Sequence, residues 1–283
     1  MPRPVLIAGR NVVAPYRESP PQWLNNGDNM TDKIKAFWDN QAKEHGASDL
    51  ATAPDHYYRE KEIVEIIALL RDGDSILDVG CGNGYATFKF AEACPTSPIV
   101  GVDYSEAMIE RANKNAIGGM AFIVGNVLEL ASIFAAARYD TIICTRCLIN
   151  LDSWHDQQEA ILQIKHSLKP GGQLILVENT IEGLVNLNNL RRHFDLPLIE
   201  QRWHNHYLPQ AQLEDFLAEH FYVTDLQNIG STYYLISRVV YAKISQLEGR
   251  EPQYDSVFNK IAADLPNLGG NYSPNMLYVC RKR

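Results

Sequence analysis

No stretch of this chain approaches the roughly 20 consecutive apolar residues that a membrane-spanning helix requires, so no bilayer segment is expected. The opening residues, MPRPVLIAGR, carry prolines and no long apolar run, unlike a secretory leader. Cysteine is sparse: five among 283 residues, an odd number that does not suggest a disulfide framework. A cytoplasmic protein is the expectation. Basic charge is in deficit, with 26 Lys and Arg against 34 Asp and Glu and a net charge of -8, which makes a poor general binder of nucleic acid. The single basic run, Arg281-Lys282-Arg283, reads as a solvated tail. Metal-ligand clusters are lacking too. Cys144 and Cys147 form a C-x-x-C pair, but Cys81, Cys94 and Cys280 stand singly, so no second pair completes a zinc site. The pair ends an apolar strand rather than starting a helix, which suits buried structural thiols better than a redox couple.

What is present is an ordinary globular composition, 46% hydrophobic and 21% charged. Residues 1–30 are rich in Pro, Asn and Gly and are expected to form a loose or wrapping arm. TDKIKAFWDNQAKEHG reads as a helix capped by Thr31 or Asp32 and ended by Gly46, and a second helix begins near Pro54. From Ser75 short apolar runs alternate with helical stretches: SILDV, PIVGVD, AFIVG, YDTIICT and QLILVEN as strands, with YATFKFAEAC, a Ser105-capped SEAMIERANKNA, LELASIFAAAR and DQQEAILQIKHSLKPGG as helices. Such βα succession implies a parallel sheet buried on both faces. The later FYVTDLQ and NMLYVCRK add two strands, and residues 231–268 read as an aromatic, helical insertion. The expected fold is α/β: a doubly wound, Rossmann-like, mostly parallel seven-stranded sheet with a helical N-terminal arm and helical cap insertions. Its expected divisions are 1–72 (arm and closing helices), 73–180 (cofactor core) and 181–283 (acceptor and cap segments with the last strands).

The loop Gly80-Cys81-Gly82-Asn83-Gly84 follows the first strand of the βα series, where doubly wound sheets bind ligands. A dinucleotide fingerprint needs a third glycine where Tyr85 stands, and no Walker Gly-Lys-Ser/Thr is present. Asp78, just before the loop, would repel a pyrophosphate and suits an amino group. Asp103 ends the next strand about 25 residues on, where an acid that holds ribose hydroxyls is expected. Loop, acid and rhythm together ask for an adenosine-type ligand without a diphosphate.

ILDVGCGNGYAT, VGVDYSEAMIERA and LKPGGQLILVE, in that order between Ile76 and Glu178, resemble the class I S-adenosylmethionine-dependent methyltransferases. CLINL…QEAILQIKHSLKPGGQLILVEN, followed by LNNLRR and WHNHY, is similar to a bacterial subgroup found in polysaccharide or natural-product pathways. The resemblance implies S-adenosylmethionine as cofactor and S-adenosylhomocysteine as product. It implies that Gly80, Cys81, Gly82 and Gly84 form the close-approach loop, that Asp78 holds the ligand's amino group directly or through water, and that Asp103 takes the ribose hydroxyls. Tyr104 and Met108 would flank the adenine, Asn126 would replace the usual Asp at the adenine amino group, and Val127 would offer its N–H. Thr145 and Arg146 would line the ammonium and the methyl path. Trp38, Gln41, Tyr57 and Arg59 are candidates for closing over the ligand.

With the donor already activated, the chemistry is in-line displacement by an acceptor atom. A small-molecule acceptor is expected, bound above the strand ends. His204 and His206 are candidate bases, with Tyr207 as helper and Glu178 as base or orienter. Arg191, Arg192 and Arg202 form either a clamp for an acidic acceptor or a solvated face. Tyr233 and Tyr234 line the pocket or fill the core. The stretch TRCLINL replaces the N-P-P-Y of nucleic-acid adenine methyltransferases, and no C-x-x-x-C-x-x-C cluster marks a radical enzyme. Three other readings are a non-catalytic S-adenosylmethionine-binding partner protein, which a blocked acceptor cavity would favour; a nicotinamide-dependent oxidoreductase, which Asp78 and the missing glycine disfavour; and an RNA or protein methyltransferase, which a basic or open groove would favour and the acidic charge disfavours.

Overall fold

The structure, a computed structural model, describes residues 29–283 together with the backbone of two short strands, β1 (Val5–Ile7) and β2 (Arg10–Val12), which pair antiparallel. The remainder of the expected arm lies outside the described residues.

Seven further strands form one sheet: β3 (Ile76–Val79), β4 (Ile99–Asp103), β5 (Met120–Val124), β6 (Tyr139–Thr145), β7 (Leu168–Asn179), β8 (Phe221–Gln227) and β9 (Asn275–Lys282). Their order is β5-β4-β3-β6-β7-β9-β8. The first five are parallel, and β9 runs antiparallel between β7 and β8. This is the expected mostly parallel α/β sheet. The helices are α1 (Met30–His45), α2 (His56–Ile67), α3 (Tyr85–Ala93), α4 (Glu106–Asn115), α5 (Leu130–Ile133), α6 (Trp154–Ser167), α7 (Ile181–His193), α8 (Gln210–His220), α9 (Ser231–Tyr234), α10 (Tyr241–Leu247) and α11 (Val257–Asp264). A π-helical turn, Leu235–Val240, joins α9 to α10.

The side-chain period of two sorts the central strands into two layers. Ile142, Cys144, Leu174, Leu176 and Tyr278 pack with Ile161 and Ile164 of α6 and Leu213 of α8. The intervening Ile143, Ile175, Val177 and Leu277 pack with Ile63 and Ile66 of α2 and Phe90 of α3 on the opposite face. Both faces are apolar because both are covered. The chain winds outward from β3 to β5 and then returns to β6 on the other side of β3, so the switch point lies between β3 and β6.

Several local expectations shift. The side chain of Asn29, not Thr31 or Asp32, caps α1 by accepting from the Asp32 N–H at 2.9 Å. Helix α6 stops at Ser167 instead of running through Gly172, because Pro170 disfavours helical backbone at Lys169. Leu168 already pairs with Tyr139, and a register irregularity precedes the Thr141–Gln173 pair. The stretch LELASIFAAAR contributes only the four residues of α5, entered through a 3-10 turn, Val127–Glu129, that the Asn126 side chain caps.

Candidate active site

A cavity of about 660 Å3 opens over the C-terminal ends of β3, β4 and β6. Its floor is the glycine loop. Gly80 and Gly82 have φ of +73° and +56°, a region that side chains disfavour. A Cβ on Gly80 would fall 2.7 Å from the Cβ of Cys147, and one on Gly82 would fall 2.8 Å from the Cγ2 of Thr52. The loop is therefore pressed against the turn after β6 on one side and the N-terminal segment on the other. Asp103, at the end of β4, accepts from the N–H groups of Gly82 and Ser105, each at 2.9 Å. Burial raises its pKa to about 6 against the pull of those two bonds. Asp78 lies beneath the loop, outside the cavity lining, where its Oδ2 accepts from the Thr87 hydroxyl at 2.6 Å. Burial also lifts its pKa to about 6.

The N-terminal helices form a wall. Asn83, in the glycine loop, donates to the carbonyls of Gly46 and Ser48 at 2.9 and 2.7 Å, fixing the end of α1 to the floor. The Ser105 hydroxyl donates to Asp39 of α1 at 2.5 Å, and the Trp38 indole donates to Asn150 at 3.2 Å. Trp38, Gln41 and Arg59 line the cavity as anticipated; Tyr57 does not. Tyr104, Met108, Asn126 and Val127 line one end of it, next to Asp103. The Asn126 Oδ1 also accepts from the Leu128 N–H at 3.0 Å, so its oxygen is already oriented.

At the β6 end, Arg146 has φ +49°, an uncommon conformation for a non-glycine residue and one that recurs at functional sites. Its guanidinium donates to Glu62 at 3.1 Å, and Arg59 donates to the same Glu62 oxygen at 2.6 Å. Glu62 is fully buried. One carboxylate is thus shared by two cavity-lining guanidiniums, which leaves one positive charge facing the cavity. Glu178 is also fully buried and is absent from the lining. Its Oε1 accepts from the Leu148 N–H at 2.7 Å, which holds the turn after β6. Burial pushes its pKa up to about 8. Of its two anticipated roles, this placement suits an orienter and removes it from direct contact with an acceptor.

His204 and Tyr207 line the cavity. The His204 ring stacks on Phe37 with centroids 4.4 Å apart and stands edge-on to Trp38. His206 lies outside the lining, with its Nδ1 3.1 Å from the Leu151 carbonyl oxygen. Tyr234 lines the cavity, while Tyr233 is core: its hydroxyl donates to Asp55 at 2.7 Å and accepts from Asn259 at 2.9 Å. Arg191 and Arg202 line the cavity; Arg192 instead donates to Asn189 on the surface. Sequence reasoning missed Glu62, Asp55, Asn83 and Arg238. The i,i+3 spacing of Arg59 and Glu62 on α2 was visible, but their partner Arg146 lies 84 residues from Glu62.

The buried polar atoms on lining residues that have no hydrogen-bond partner among the described residues include the Thr145 Oγ1 and the Tyr104 hydroxyl, as expected where a polar ligand belongs. With the glycine cradle and Asp103, they fit an adenosyl amino acid. Among the described residues no group of three or more His, Cys, Asp or Glu could hold a metal, and no helix is long and apolar enough to cross a membrane. All five cysteines are free thiols; Cys144 is buried, and its hydrogen bond to Cys147, together with burial, pushes its pKa up.

Residues 70–206 match the model of a methyltransferase domain family. The chain is 34% identical over 113 residues to 27-O-demethylrifamycin SV methyltransferase of Amycolatopsis mediterranei, a match covering 38% of this chain and 39% of that one. For the first curated relatives, the matched stretch spans about half of their length or less. Among solved structures, the N-methyltransferase NodS of Bradyrhizobium japonicum in complex with S-adenosylhomocysteine is similar at a TM-score of 0.53 and 16% identity, over 90% of this chain and 99% of that one. The [4+2]-cyclase SpnF is similar at a TM-score of 0.54 and 19% identity, over 89% and 94%. These two likenesses are of fold.

Proposed function

From the premise that residues 70–206 belong to the class I S-adenosylmethionine-dependent methyltransferase superfamily, we propose that this chain methylates a hydroxyl or amine of a small or medium-sized acceptor, such as a sugar or natural-product intermediate. The observation that carries this reading is the continuity of the cavity. It runs from the glycine loop and Asp103, past Arg146 and His204, to Leu184, Leu187 and Tyr234 beneath the cap. A cofactor-sized site with a blocked exit would have favoured a binding-only protein; here the lining extends well beyond the residues that the cofactor needs.

Bound here, S-adenosylmethionine supplies a methyl group already activated on a sulfonium. The chain's own residues bind, orient and exclude water. In this reading Asp103 accepts from the ribose hydroxyls, and the N–H groups of Gly82 and Ser105 that hold its carboxylate support that role. Tyr104 and Met108 offer an aromatic face and a soft thioether to the adenine. The surplus positive charge of Arg59 and Arg146 over Glu62 suits the ligand's carboxylate, so Arg146 moves from the expected ammonium side, where like charges would repel, to the carboxylate side. Phe37, Trp38 and Trp203 surround His204 and keep water from it, leaving a protected imidazole as the candidate acceptor of an acceptor-hydroxyl proton. Tyr207 shares that wall. Glu178 keeps the Leu148 backbone in position from behind. Nucleic acid is not the proposed acceptor, in keeping with the net charge of -8.

Calorimetric titration of the purified chain with S-adenosylmethionine, S-adenosylhomocysteine and NAD in parallel tests the reading. The first two should bind and NAD should not. Binding of NAD alone would replace it with the oxidoreductase reading.

A further inference from the structure

The far end of the cavity, remote from the glycine loop, is made by α7 and by the π-helical turn of the cap. Arg191 of α7 lines it and is only 8% exposed. Its Nε donates to the Pro197 carbonyl at 2.7 Å and its Nη1 to the Arg238 carbonyl. Both partners are neutral. No carboxylate lies within ion-pair distance of Arg191 among the described residues, and its Nη2 makes no hydrogen bond to any of them. Arg238, on the π turn, also lines the cavity and pairs with Asp55. It sits over the rings of Tyr234 and Tyr254, at 5.3 and 4.7 Å from their centroids. The two largely buried guanidiniums therefore have one carboxylate between them, Asp55, and it pairs with Arg238 alone. Burial first, and then the like charge of Arg238, depress the pKa of Arg191 to about 10. A buried charge without a counter-ion is costly, and a helix interrupted by a π turn recurs at functional sites. Leu184, Leu187 and Ile199 add an apolar wall.

Resting on the methyltransferase reading above, we propose that this chamber recognises an acceptor bearing a single carboxylate, which pairs with Arg191, with Arg238 beside it, while an apolar or aromatic body lies along Tyr234 and the leucines. The stoichiometry of charge selects the class. One unmatched positive charge fits a monocarboxylate, whereas a phosphate dianion would leave negative charge uncompensated in the same enclosed space. Glu200 and Arg202 belong to the exposed mouth, where solvent screens them. The planar guanidinium of Arg191, held at Nε and Nη1, leaves its remaining edge for a carboxylate. The arrangement also sets orientation: the carboxylate end is drawn beneath the cap, and the group to be methylated is left toward His204.

The test is calorimetry on the full chain saturated with S-adenosylhomocysteine, using 4-hydroxybenzoate, 4-hydroxycinnamate and 10-hydroxydecanoate, each beside its methyl ester. At least one acid should bind about tenfold more tightly than its ester, the scale of a buried charge-assisted pair. Arg191→Gln, which keeps hydrogen-bonding capacity without the charge, should reduce that preference to under about threefold with S-adenosylhomocysteine affinity unchanged. Because wild type alone supplies the acid–ester comparison, a misfolded variant does not remove the test. If S-adenosylhomocysteine binds and no acid outbinds its ester, or if Arg191→Gln folds and keeps the full preference, the carboxylate subsite is wrong. If S-adenosylhomocysteine itself fails to bind wild type, the methyltransferase reading falls instead.

Discussion

The glycine loop and the cap face the same cavity and are built from different materials. The loop works through backbone: left-handed glycines, two N–H groups on Asp103, and a turn pressed against Cys147. The cap works through long side chains whose partners are distant in sequence, with Arg238 and Tyr233 meeting Asp55 across 183 and 178 residues. A backbone-built site tolerates no added atoms but uses few residue identities. A side-chain-built site depends on charge pairs that are costly to break singly. The first is suited to a constant ligand and the second to a particular one.

The sharpest way to separate the two regions is to damage each alone. Arg238→Ala should destabilise the fold by about 3 kcal/mol, because Asp55 is left buried with an uncompensated charge. Adding Asp55→Asn should recover part of that loss, read by denaturant unfolding; equal losses in the single and double variants would remove the ion pair from the account. Gly80→Val should lower S-adenosylhomocysteine affinity by at least about 100-fold, since it places a branched side chain at positive φ against Cys147. Wild-type affinity in that variant would break the backbone half of the comparison.

The difference in material also explains what the sequence disclosed. The spacing of Gly80, Gly82 and Gly84, the acids Asp78 and Asp103, and the apolar strands could be read because each is a local signal: a turn needs glycine, and a strand buried on both faces needs a continuous apolar run. All seven strands of the main sheet were anticipated. The helix after Asn126 was overestimated because its apolar pattern persists after Asn126 has started a 3-10 turn. His204 and His206 are indistinguishable in the string WHNHY; only the fold turns one toward the cavity and the other toward the Leu151 carbonyl. The Arg191–Arg238–Asp55 group has no local signature, because the π turn that carries Arg238 leaves no mark in residue spacing.

At the junction of the two regions, His204→Ala should cut turnover by about 100-fold once an acceptor hydroxyl is in hand, while cofactor affinity changes less than twofold. An equal fall in both would make His204 part of the cofactor wall. A smaller effect concerns Glu178. Its pKa is raised from the carboxylate range to about 8 in the fold, so its protonated form favours the native state. Stability from this group is full below about pH 4 and is lost as pH rises through about 8. Glu178→Gln should therefore keep a flatter melting temperature between pH 5 and about pH 9, with its advantage greatest at the alkaline end. Parallel melting curves for the two proteins would contradict the burial argument. The smallest expected effect is on Asp103: cofactor affinity should weaken several-fold as pH falls below about 6, where its carboxylate takes up a proton.

The most direct test of the central claim, one cavity with a backbone-built cofactor end and a side-chain-built acceptor end, is a crystal structure of the chain with S-adenosylhomocysteine. The account predicts ribose hydroxyls on the Asp103 carboxylate, the ligand's carboxylate toward Arg59 and Arg146, and open space remaining beneath Tyr234 and Arg191. Ligand density that avoids Asp103, or that fills the chamber under the cap, would contradict it.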